Sequence, residues 1–64
     1  MRLTTFWNNM REHFGDAYAA SLAKDYVIEE LDSRTVEQAL ADGVGVKQVW
    51  RAVCDAFGLP ASAR

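Results

Sequence analysis

Leu3, Phe6, Trp7, Met10 and Phe14 recur at three- and four-residue spacing near the start of the chain, with Asn8, Arg11 and Glu12 between them. Apolar positions in that rhythm fall on one side of an α-helix, so the pattern predicts a helix over 5–14 that turns one stripe towards a core. Thr4 or Thr5 is placed to cap it, and Gly15 to end it in a left-handed conformation. A second pattern starts at Asp16, read as the next cap, and runs through "AYAASLAKDYVIEEL" with no breaker before Asp32 and Ser33. Ala19, Ala20, Leu22, Ala23, Tyr26, Val27 and Leu31 cover about half its circumference, so this helix is expected to be central, with more than one neighbour. Thr35 and Gln38 have capping-box spacing and predict a short third helix from Val36 to about Asp42, stopped by Gly43. Val46, Val49, Trp50, Val53 and Phe57 form the stripe of a fourth, with Lys47, Gln48, Arg51 and Asp55 on its far side. Gly58, Leu59 and Pro60 close it: the glycine as left-handed cap, the leucine folding back on the preceding turn, the proline forbidding continuation.

These patterns predict an all-α chain, a compact small bundle of three main helices plus one short helix. A single domain is expected over 1–60, with a frayed tail over 61–64. Phe6, Trp7, Phe14, Val27, Leu31, Trp50, Val53 and Phe57 are expected to share one core. Length sharpens that expectation. A chain of 64 residues buries only about 60% of its unfolded surface, and truncating one buried large aromatic costs roughly 3–5 kcal/mol. Both tryptophans are therefore assigned to the core rather than to a binding surface.

Composition narrows the function. No apolar run approaches the roughly 20 residues that cross a bilayer, and "MRLTTFWNNM" lacks the apolar core of a secretory signal. A cytoplasmic protein with no membrane role is expected. The net charge of −2 supplies no basic excess for a nucleic acid, although a local patch remains open. One cysteine and one histidine make neither an internal disulfide nor a structural zinc site, and no cofactor is expected. Cys54 is read as a small buried hydrophobe rather than a redox sensor. His13, at the edge of the first stripe, has no nucleophile or orienting partner at local spacing. No enzymatic role is expected.

Two surfaces stand out as docking sites for a protein partner whose identity the sequence does not give. Glu29, Glu30 and Asp32 crowd the expected end of the second helix, where acidic groups oppose the macrodipole by roughly 0.3–1 kcal/mol each. Glu30 falls in the middle of the apolar face and needs either to reach solvent or to pair with a cation such as Arg34. The other surface is the Lys47 and Arg51 face of the fourth helix. The alternative to a protein-interaction module is a DNA-binding adaptor over residues 35–57, because Ala39, Gly43 and Val49 have helix-turn-helix spacing. DNA is disfavoured on two grounds. The stripe of the fourth helix is rotated so that Trp50 falls where the motif faces DNA, and Asp42 falls where the motif buries an aliphatic side chain, a costly place for an unpaired carboxylate.

"MRLTTFW", "FGDAYA", "SRTVEQAL" and "VKQVWRAVCDAFGLP", in that order, resemble the small actinobacterial proteins catalogued as domain of unknown function number three thousand and forty-six. The resemblance covers nearly the whole chain. It implies a stand-alone cytoplasmic helical protein and assigns no activity to any residue. Members of that family resemble one another in often being encoded near recombination genes, which implies a DNA-repair context and does not by itself imply contact with DNA.

Overall fold

The computed structural model describes residues 1–60, so the expected tail at 61–64 lies outside the described residues. Four α-helices follow in order, α1 (Leu3–Phe14), α2 (Asp16–Asp25), α3 (Val36–Ala41) and α4 (Val46–Phe57), with a 3-10 turn at Glu29–Leu31 between α2 and α3. The class is all-α, with three longer helices and one short one.

α1 begins two residues before the expected start. Its first backbone bond runs from the Phe6 N–H to the Arg2 carbonyl, and no side chain caps it, so Thr4 and Thr5 are not caps. Phe6 and Met10 are buried, Trp7 and Phe14 pack on the core from its edge, and Leu3, expected in the stripe, is half exposed. Gly15 joins α1 to α2 with φ 82° and ψ 156°. This is not the left-handed conformation expected of it but the mirror-extended region, which is essentially glycine's alone. Gly15 also replaces Asp16 as the residue before α2, its carbonyl accepting the Ala19 N–H at 2.8 Å. Asp16 is the first residue of α2, where its charge suits the helix N-terminus.

The largest departure from expectation is the end of α2, which stops at Asp25 rather than at Leu31. Tyr26 and Ile28 are extended, and the Ile28 N–H donates to the Arg34 carbonyl at 3.0 Å in an antiparallel bridge. Between them the chain makes the 3-10 turn and then two successive left-handed residues, Asp32 (φ 56°) and Ser33 (φ 60°). Tyr26 and Val27 are consequently on the surface, and Ile28 and Leu31 enter the core.

α3 starts as expected. The Gln38 N–H donates to Thr35 Oγ1 (3.2 Å) and the Thr35 N–H donates to Gln38 Oε1 (3.1 Å). Gly43, at φ 88°, ends it, with the Val44 N–H reaching back to the Ala39 carbonyl. α4 ends the same way at Gly58, with the Leu59 N–H donating to the Cys54 carbonyl at 2.9 Å and Leu59 packed on the core. α4 buries Val49, Trp50, Ala52, Val53 and Cys54 and packs against α1, α3 and the 3-10 turn. α2 packs against both α1 and α3, the two neighbours expected of it, and the centre is shared between α2 and α4. Trp50 is 1% exposed, with its ring edge-on to Phe6 at 5.9 Å.

Candidate functional site

Turning one face of α4 inwards leaves Lys47, Gln48, Arg51 and Asp55 on the outer face. The 3-10 turn packs beside that helix. With Leu31 directed into the core, Glu30 comes out next to α4. Glu30, Gly45, Lys47, Gln48, Arg51, Ala52 and Asp55 line one shallow depression of about 640 Å³. Of the acidic surface expected from the sequence, Glu30 alone joins the Lys47 and Arg51 face. On the other side of Lys47 and Arg51 a second depression is lined by Met1 and the edge of Trp50.

The depression is a mixture of charges, two carboxylates beside an ammonium and a guanidinium. Its volume lies in the range of small-molecule sites, but the mouth is wide, so a small ligand would stay largely hydrated there. Glu29 and Asp32 do not line it. Glu29 opens the 3-10 turn and Asp32 is its left-handed cap, a conformation that Asp tolerates better than most residues. None of the three acidic residues ends α2, so the conflict with its dipole disappears. Arg34 pairs with Asp42 (3.2 Å) rather than with Glu30. Asp42 is exposed and paired, so the expected cost of burying it does not arise.

The corner between α3 and α4 has the three features that the helix-turn-helix spacing asks for: Ala39 and Val49 fully buried and Gly43 at positive φ. Trp50, expected on the outer face in that reading, is interior. Cys54 is buried. His13 is exposed, its ring 5.8 Å from that of Trp50. Among the described residues no group of three or more His, Cys, Asp or Glu side chains is placed to hold a metal ion.

Sequence reasoning missed an aromatic surface. Tyr18 is 54% and Tyr26 45% exposed; Phe14 meets Tyr18 at 5.9 Å and Phe57 at 5.2 Å, and Phe57 meets Tyr26 at 4.9 Å. The available signal was residue type: a tyrosine pairs an apolar body with a hydroxyl that prefers water, so it suits a boundary better than a core.

Fold and surface together define a small all-α protein with an open, mixed-charge groove along α4. No described helix is long and apolar enough to cross a membrane. The chain belongs to the family described as "Protein of unknown function (DUF3046)", whose model matches residues 1–62. No curated protein and no solved structure matches it.

Proposed function

We propose that the chain is a non-enzymatic protein-interaction module of the cytoplasm, of actinobacterial origin as the resemblance implies, whose partner seats on the groove formed by Glu30, Lys47, Arg51 and Asp55. The observation that carries this reading is the convergence of Glu30 from the 3-10 turn with Lys47 and Arg51 on α4. Alternating charges across one groove fix the register of a polar segment carrying its own acidic and basic side chains, and they reject partners of a single sign. A phosphate backbone wants cations alone; here Glu30 and Asp55 stand beside each cation. An open groove also does not exclude water, which removes one of the advantages that enzyme sites exploit.

The second reading, a DNA-binding adaptor, is favoured by the Ala39, Gly43 and Val49 geometry of the corner. Titration of the labelled protein with duplex DNA at two salt concentrations separates the two. The interaction reading expects no binding at low salt; binding that weakens steeply with salt would install the adaptor in its place. For the groove itself, a partner captured by the wild type should be lost with Glu30→Lys and also with Arg51→Glu, and the purified partner should then bind the wild-type chain in a direct titration. A partner indifferent to both reversals removes the groove from consideration.

A further inference from the structure

We propose that a second surface, the notch between Tyr18 and Tyr26, receives an arginine side chain from a partner protein. The notch is a shallow, open depression of about 210 Å³ lined by Tyr18, Ser21, Leu22, Asp25 and Tyr26, which is space for one long side chain lying along the surface rather than for a helix. Leu22 closes its floor and is 2% exposed, so the apolar surface on which the methylenes of a long cationic side chain pack is that of Tyr18 and Tyr26. Each of its tyrosine rings is held by a second ring, Phe14 in an edge-to-face pair with Tyr18 and Phe57 against Tyr26.

Charge selects the occupant. Asp25 is the only charged group lining the notch, and it makes no ion pair among the described residues. A cation beside two tyrosine rings and a carboxylate is attracted by both. Guanidinium fits better than ammonium because it is planar, stacks on a ring and presents paired donors to a carboxylate. A phosphate or an acidic peptide is repelled by the same carboxylate. The notch shares no residue with the mixed-charge groove, so the two assignments stand or fall separately.

The test uses the whole chain and two capped tripeptides, glycine-arginine-glycine and its citrulline counterpart, which keeps the shape and loses the charge. Amide NMR titration should give saturable shifts confined to residues 18–26 with the arginine peptide, and about tenfold weaker binding with citrulline. Asp25→Asn should weaken the arginine peptide by a smaller factor than citrulline does, because the rings still attract the cation, while leaving the melting curve in place, and Tyr18→Leu should weaken it independently. Equal response to the two peptides, no effect of Asp25→Asn, or shifts centred on Glu30 and Asp55 would each overturn the assignment. So would self-association of the wild type in sedimentation through a surface that Tyr18→Leu abolishes, since a second copy would then be the occupant.

Discussion

Gly15 connects two helices with no loop residue to spare, and φ 82° with ψ 156° is how it does so. A Cβ there meets no atom within 4 Å, so the objection to any other residue is backbone strain alone. Gly15→Ala should therefore lose about 1–3 kcal/mol in urea unfolding, although it adds helix propensity on paper. Ser33 has the opposite problem: a non-glycine residue in the left-handed region at φ 60°. Ser33→Gly relieves that strain against a larger loss of chain entropy, and a net gain of about 0.5 kcal/mol is expected in the same measurement. A loss instead would mean that the serine contributes an interaction beyond its backbone. Asp32 needs no partner to explain it, because the turn itself accounts for an Asp at φ 56°.

At the scale of elements, α2 shows how a helical pattern can run past the helix. Continued at 100° per residue to Leu31, it would place Ile28 roughly 180° from the face of Ala19, Leu22 and Ala23, and Glu30 in the middle of that face. One apolar side chain would be in water and one carboxylate in the core. Ending at Asp25 and turning resolves both, since Ile28 becomes 1% exposed and Glu30 reaches the surface. The misplaced Glu30 was the legible warning; local propensity alone gave no reason to stop. Adjacent substitutions check the turn. Val27→Ala, at 52% exposure, should shift stability by no more than about 0.5 kcal/mol, whereas Ile28→Ala should cost about 2–4 kcal/mol. A continuous helix would give the reverse order. α3 and α4 were legible to within a residue or two because their signals are local: a reciprocal capping box at Thr35 and Gln38, and glycines at positive φ behind both ends.

For the whole molecule, the two indoles divide the work unequally. Trp50 is enclosed by α1 and the rest of α4's inner face, while Trp7 is half-buried, edge-on to Phe6 at 5.2 Å. Trp50→Ala should cost roughly 3–5 kcal/mol, as much as a domain of this size has to lose, so the variant should lack a cooperative melting transition at 25 °C. Trp7→Ala should melt lower than wild type but still cooperatively. Acrylamide should quench Trp7 in a Trp50→Phe background more strongly than Trp50 in a Trp7→Phe background. Equal quenching would show that the burial difference between the two rings is wrong.

The sequence by itself determined the helical class, the glycine corners, the capping of α3 and the inner face of α4, because each follows from backbone preference or from apolar spacing within a few turns. Only the tertiary structure decided where α2 ends, that α4 meets α1, α3 and the 3-10 turn, that Glu30 lies beside Lys47 and Arg51, and that Tyr18 and Tyr26 face water. These depend on which elements meet, and elements meet so as to bury apolar area over the whole chain at once. That sum is not carried by any window of the sequence. The candidate groove belongs to the second group: its residues were in view, and their adjacency was not.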